Sequence, residues 1–251
     1  MILSLQPSAP VPLLLLGVRD EFTDRAWRPP GRHWAGPALS DLVGGMDEQA
    51  GGTWLAVDPA RRRMSCLLNG RGTPAAPGTR RTRGELPLLA AGDGAGTCKE
   101  LADDPDALAA YDPFHLVCAD PGAAALLSWD GARPVFRDLE PGTHVLTNAG
   151  HAYPRPEVTE PKAVHFGPKF AASRPPGAPG LPLTAAWGEW LTLADGDGLP
   201  ADAPEAIVAR RAVDGGKPWG TTSQTLIGLS RDGLRYDFRA AGEDWGAVPV
   251  T

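Results

Sequence analysis

The sequence predicts an α+β fold in which two antiparallel sheets stack between helices. Three features predict it: strand-like apolar runs at both ends of the chain, turn residues at regular spacing through its middle, and helical stretches between them. A doubly wound parallel sheet would need strand and helix patterns in strict alternation, and the order of these runs does not supply it. The 31 glycines and 27 prolines among 251 residues are scattered rather than gathered into a linker, so residues 1–251 read as a single domain.

Taken in order, Ile2 to Leu5 is a short strand, Gln6 to Pro12 a turn, and Leu13 to Val18 a second strand. Thr53 to Val57 and Met64 to Leu68 are further apolar runs. Gly51-Gly52, just before the first of them, reads as a backbone requirement rather than a phosphate cradle, since no Gly-Lys-Ser/Thr follows. Thr82-Arg83-Gly84-Glu85 has the capping-box form before an apolar stretch from Leu86 to Ala91. Cys98 to Tyr111 reads as helix in one or two pieces around Pro105. Phe114 to Cys118, Ala124 to Trp129, Pro134 to Phe136 and His144 to Leu146 follow as strands. They are separated by Asp120-Pro121-Gly122, Asp130-Gly131 and Glu140-Pro141-Gly142, the signature of an antiparallel meander. His151 to Pro182, rich in proline and small residues, is expected to be a long irregular excursion. Ala186 to Ala194 and Glu205 to Val213 read as helices. A closing hairpin runs from Gln224 to Ser230, through Asp232-Gly233, to Phe238.

Composition excludes several functions. Apolar residues at 42% and charged residues at 22% are ordinary for a soluble globular protein. With a net charge of -6 and only the short basic runs Arg61-Arg62-Arg63 and Arg80-Arg81, an electrostatic nucleic-acid footprint is not expected. Val11 to Val18 is the longest apolar run, far short of the roughly 20 residues of a membrane span. Without a basic, signal-like N-terminus the expected location is cytoplasmic.

Cys66, Cys98 and Cys118 are odd in number, widely spaced and never in a CxxC pair, which argues against a disulfide framework and a structural zinc site. Buried, inert thiols are the expectation for Cys66 and Cys118. His33, His115, His144, His151 and His165 show no metal-ligand spacing, so no metal site is expected.

The sharpest signal is Arg19-Asp20-Glu21, with Asp24 and Arg25 close behind, at the exit of a strand of four leucines. A surface ion-pair cluster would contribute little to stability. A hairpin centred between Ala9 and Pro10 pairs residues whose numbers sum to roughly 19, which sets Met1 opposite Val18 and aims the charged cluster at the N-terminus.

At this point the chain resembles a known family. Val18-Arg19-Asp20-Glu21-Phe22 is similar to the N-R-D-E-F signature of the NRDE family, also called the transport and Golgi organisation protein 2 family. Gly44 to Leu55 resembles its G-R-D-x-x-A-G-G-T-W-L segment, Leu67 to Arg71 its L-T-N-x-R, and Arg83 to Leu86 its S-R-G-x-L. Phe114-His115-Leu116 stands at its G-F-N-L, Leu146-Thr147-Asn148 at its L-S-N, and Trp219 to Ser223 at its Y-G-T-R-S. The resemblance implies a four-layer αββα sandwich of the N-terminal-nucleophile hydrolase type. Amide hydrolases of that superfamily use an N-terminal cysteine whose α-amine is its own base, with an arginine and an aspartate orienting it and asparagines stabilising the oxyanion. The matched positions are Arg19, Asp20, Asn69 and Asn148.

The chain departs from that pattern in three places. It begins Met1-Ile2 where members begin Met-Cys, Val18 replaces the signature asparagine, and Thr222 the arginine of Y-G-T-R-S. The expectation is a start at an internal methionine, with a natural form carrying a short Met-Cys-Thr-like extension; loss of the cysteine is the alternative. Glu21, Trp34 and Trp54 are the candidate ligand-binding residues, the two tryptophans as walls of an apolar pocket. The expected function is a binder or carrier of a small apolar metabolite, haem or acyl-CoA-like, since the family is linked to haem trafficking and to acyl-CoA and lipid homeostasis. The alternative is a cysteine-dependent amide or thioester hydrolase, inactive in the chain as given. A structural role in the secretory system finds less in the sequence, which has neither a signal nor coiled-coil heptads.

Overall fold

A computed structural model describes residues 1–93, 95–155, 157–213 and 215–250. Its contacts group into two compact units. One comprises Met1–Arg25, Pro141–Thr147 and His151–Pro249, the other chiefly Ala26–Glu140 with Asn148–Gly150.

The first unit opens with the expected hairpin of β1 (Ile2–Leu5) and β2 (Leu13–Phe22), closed where Gln6 N donates to Pro12 O at 2.7 Å. Its register is one residue away from the expected one: Ile2 faces Leu16 and Leu5 faces Leu13. Continued by one step, this puts Met1 opposite Gly17 rather than Val18. A slip of one residue exchanges the two faces of a strand, so the Met1 side chain shares the face of Arg19, not that of Asp20.

The second unit is a seven-stranded antiparallel meander in chain order: β3 (Trp27–Gly31), β4 (Val43–Asp47), β5 (Leu55–Asp58), β6 (Arg63–Asn69), β7 (Phe114–Ala119), β8 (Ala124–Trp129) and β9 (Pro134–Asp138). Its turns follow the sequence chemistry. Asp120 Oδ1 accepts from Gly122 N and Ala123 N, and Asp130 Oδ1 from Ala132 N and Arg133 N. Between β6 and β7 come α1 (Leu86–Asp93), α2 (Ala95–Asp103) and α3 (Pro105–Leu108). Thr82 does cap the turn before α1, accepting from Gly84 N at 3.2 Å. Glu85, instead of closing the capping box, accepts from Tyr111 Oη at 2.5 Å. Leu86, Ala90, Cys98 and Leu108 from the helical region pack on Phe114, Leu116 and Leu127 of the sheet.

This packing corrects the reading of the cysteines. Cys98 on α2 and Cys118 on β7 form a disulfide, brought together because α2 packs on β7 although 20 residues separate them. Helix-on-sheet contact of this kind leaves no spacing pattern in a sequence. Cys66 is free and buried, as expected.

The chain then returns to the first unit with β10 (Gly142–Thr147), β11 (Gly150–Tyr153), α4 (Pro161–Ala172), α5 (Leu183–Trp187), α6 (Glu189–Ala194), β12 (Arg210–Val213), β13 (Lys217–Leu229), β14 (Leu234–Ala240) and β15 (Gly246–Ala247). The sheet order is β11-β10-β1-β2-β13-β14-β15, with β12 beside β13. His144 to Leu146 therefore does not continue the meander as expected: it leaves that sheet and pairs with β1, Leu3 facing His144 and Ile2 facing Val145. One face is covered by helices: Leu14, Leu16 and Leu226 pack against Phe166 and Phe170 of α4 and against Trp187 and Trp190. Each of these large side chains contributes roughly 1.5–3 kcal/mol on burial.

Two further expectations fail here. His151 to Pro182 is not wholly irregular, because it contains β11 and the twelve-residue α4. Pro161 occupies the first turn, where no N–H is needed, and Glu160 caps Ala163 N, so proline opens this helix rather than preventing it. Glu205 to Val213 is not a helix but turns leading into β12. Thr221 N donates to Ala209 O and Ala209 N to Thr221 Oγ1, and these bonds hold the segment against β13 in place of a helical turn. Among the described residues no helix is long and apolar enough to cross a membrane.

Candidate functional site

Strand β2 alternates. Leu14, Leu16 and Val18 face the helices, and Asp20 continues that row; Leu13, Leu15, Gly17, Arg19 and Glu21 face the other way. The polar end of β2 stays in a ladder with β13 as far as Phe22 opposite Trp219. The charges at the exit of the leucine strand are therefore held in sheet, not released into a loop.

Asp20 is fixed from two directions. Its Oδ1 accepts from Thr221 Oγ1 at 2.7 Å, and its Oδ2 lies 3.2 Å from Lys162 Nζ on α4. Thr221 itself is tied down, since its Oγ1 also accepts from Ala209 N at 2.9 Å. Arg19 is buried. Its Nη1 donates to Thr222 Oγ1 at 2.8 Å, and that hydroxyl donates back to Arg19 O at 3.2 Å. The geometry comes from a register shift in β13 between Thr221 and Ser223, which leaves Thr222 as the extra residue beside Arg19. Ser223 is buried, and its Oγ has no partner among the described residues.

The Met1 amine donates to Leu146 O and Leu146 N donates to Met1 O, both at 2.9 Å, so the first residue is held in the sheet by β10. Asp20 lies three strand positions beyond Gly17, a distance of about 10 Å. Glu21 takes a local role: its carboxylate accepts from Phe22 N at 2.9 Å and lies 3.9 Å from Arg25.

The remaining sequence candidates belong to the other unit. Asn69 ends β6 opposite Phe114, Asn148 follows β10 directly, and both are exposed. His115, beside Phe114 on β7, hydrogen-bonds the Asn148 backbone and lies 2.8 Å from Ser128 Oγ. Burial holds its pKa below the usual histidine value. Trp34 donates from Nε1 to Gly51 O at 2.9 Å and packs beside Leu42, Ala56, Leu88 and Ala91. Trp54 meets Trp27 edge to face at 5.9 Å and lies over Gly45, where a Cβ would come within 2.4 Å of its ring. Both tryptophans thus have packing roles in that unit.

The structure brings Arg19 and Asp20 together with partners that sequence reading missed. Lys162 carries no signal, because its proline-rich segment does not read as a helix. Thr221 and Ser223 lie inside the Trp219 to Ser223 motif, which points to their neighbourhood without giving their roles. Among the described residues no group of three or more His, Cys, Asp or Glu side chains is placed to hold a metal ion.

Comparison with solved structures places the fold. The chain is 12% identical to a mutant conjugated bile acid hydrolase from Clostridium perfringens, with a TM-score of 0.52 over 98% of this chain and 91% of that one. It is 11% identical to the Caenorhabditis elegans orthologue of N-acylethanolamine-hydrolyzing acid amidase, with a TM-score of 0.53 over 99% of both chains. The fold is accordingly α+β with two antiparallel sheets, of the N-terminal-nucleophile hydrolase type. No curated protein matches the sequence. The description Transport and Golgi organisation 2 (TANGO2) matches residues 1–172, and the chain belongs to that family, the one that the Arg19-Asp20-Glu21-Phe22 signature indicated.

Proposed function

We propose that the protein binds and carries a small apolar metabolite with a charged head, in a cytoplasmic setting. The head is held at Lys162 and Asp20, on the helix-facing side of β2. One observation carries this reading: the apolar row Leu14, Leu16, Val18 runs without a break into Asp20, and Lys162 beside Asp20 belongs to the helix whose Ala163 and Phe166 pack on that same row. Fixed charges adjoining apolar packing suit an amphipathic ligand.

Of the two ligand classes expected from the family, we favour the acyl-CoA-like molecule, whose anionic head can pair with Lys162 and whose chain can follow the apolar row.

The test is titration with palmitoyl-CoA and with haemin, followed by tryptophan fluorescence. Palmitoyl-CoA is expected to bind, with affinity reduced about tenfold or more by Lys162→Gln, which removes the cation beside the apolar row. Equal binding by the wild type and Lys162→Gln would sink the reading.

A hydrolase is the second reading, favoured by the activities named for the two similar structures. The cysteines present do not provide the nucleophile: burial pushes the Cys66 thiol up to about 11, and Cys98 and Cys118 are joined. This reading therefore requires a cysteine ahead of Met1. A chain extended by Met-Cys-Thr, assayed on acyl amides and thioesters, decides it. Turnover that appears with the extension and vanishes on Asp20→Asn supports a hydrolase, and inactivity of the extended chain excludes one.

A further inference from the structure

A cavity of about 230 Å³ lies within the first unit, lined among others by Asp195, Arg210, Thr221, Arg239 and Glu243. Its four charged walls are not equivalent. Arg239 is locked in place: Nε donates to Gln224 Oε1 at 2.7 Å, Nη2 lies 2.6 Å from Asp195 Oδ1, and the guanidinium stacks 4.6 Å from the Trp245 ring centre. Arg210 and Glu243 are exposed, and among the described residues neither side chain has a hydrogen-bond or ion-pair partner. They share the cavity without pairing across it.

We propose that this cavity binds a small zwitterion of the amino-acid class, its carboxylate on Arg210 and its ammonium on Glu243. The charge balance carries the choice. Two arginines and two carboxylates cancel, so a simple anion gains one wall and meets the repulsion of Glu243, while a simple cation meets that of Arg210. A ligand with both charges satisfies both free groups at once. The size agrees: at roughly 30 Å³ per water the space equals about eight waters, room for a molecule of about ten heavy atoms. Arg239, held by Gln224, Asp195 and Trp245, forms a rigid wall behind the ligand.

The site uses none of the residues assigned to the charged head of the apolar metabolite. The experiment is calorimetric titration of the protein with each of the twenty protein L-amino acids, up to about 10 mM. At least one is expected to saturate. Arg210→Gln and Glu243→Gln should each weaken it about tenfold, as should N-acetylation or amidation of the ligand itself. Both substitutions fall at exposed positions, and an unchanged melting temperature verifies that the variants are folded. Saturation by no amino acid, affinity indifferent to both substitutions, or equal binding of the N-acetylated ligand would each overturn the proposal.

Discussion

The Arg19 guanidinium donates to Thr222 Oγ1 at 2.8 Å, and the same hydroxyl donates to Arg19 O at 3.2 Å, closing a ring between β2 and β13 across 203 residues. The hydroxyl stands at the position where the family motif carries arginine, so a neutral acceptor meets the buried cation in place of a like charge. Thr222→Val keeps the shape and removes both bonds. It is expected to cost about 1–3 kcal/mol, because buried polar groups lose a partner. Urea unfolding should show a lower midpoint with an unchanged slope, and Thr222→Ser should recover most of the loss. Wild-type stability in the valine variant would mean that the ring is incidental.

The thiols report the disulfide directly. Cys66 is buried with its thiol pushed up to about 11, so the native protein should not react with an aromatic disulfide reagent at pH 8. Denatured without reductant, it should show the single thiol of Cys66, and after reduction all three. Three thiols before reduction would disprove the Cys98–Cys118 link. The link also bears on location, because disulfides persist chiefly in oxidising compartments. Counting thiols in protein taken directly from cells under acid quench therefore tests the proposed cytoplasmic setting.

Gly52 is the backbone requirement that the Gly51-Gly52 pair suggests in the sequence. A Cβ there would lie 2.4 Å from the Gly84 carbonyl carbon, in backbone that cannot swing aside, while Thr53 N donates to Gly84 O at 2.8 Å. Gly52→Ala should therefore force the two segments apart and cost about 1–3 kcal/mol. Gly78→Ala, where a Cβ would meet nothing within 4 Å, is the matched control and should be nearly neutral. Equal midpoints for the two variants in thermal unfolding would refute the contact.

What could be read from the sequence follows physical lines. The meander from Phe114 to Asp138 was legible because Asp120 and Asp130 set their own turns through side-chain bonds to nearby backbone, a purely local signal, whereas His144 to Leu146, expected to continue it, takes its partner from β1, more than 130 residues away. Arg19 and Asp20 were legible because charge interrupts a leucine row. Their partners were not, since Lys162 and Thr221 reach Asp20 from 142 and 201 residues away. Helix α4 was hidden by its prolines, although Ala163, Phe166 and Phe170 form the apolar stripe that buries it. The one-residue error in the hairpin register arose because a leucine-only strand, buried on both faces, carries no alternation to fix its phase. Glu205 to Val213 shows the opposite failure, a helical pattern overridden by bonds to β13.

His115 makes the stability of the fold depend on pH. Burial lowers its pKa in the folded state, with the Asn148 backbone bond opposing that shift only in part. The unfolded chain takes up a proton near pH 6.5 while the folded protein still resists it. The stability associated with a neutral His115 is thus fully present above about pH 6.5 and is lost as the pH falls toward the folded-state value. His115→Gln can retain a bond to Ser128 but cannot titrate. Urea midpoints of the two proteins between pH 8 and pH 5 should run parallel above about pH 7 and converge below it, as the wild type alone pays for protonation. Curves that stay parallel down to pH 5 would show that His115 titrates normally in the folded protein, and its place between Ser128 and the Asn148 backbone would then be open to solvent.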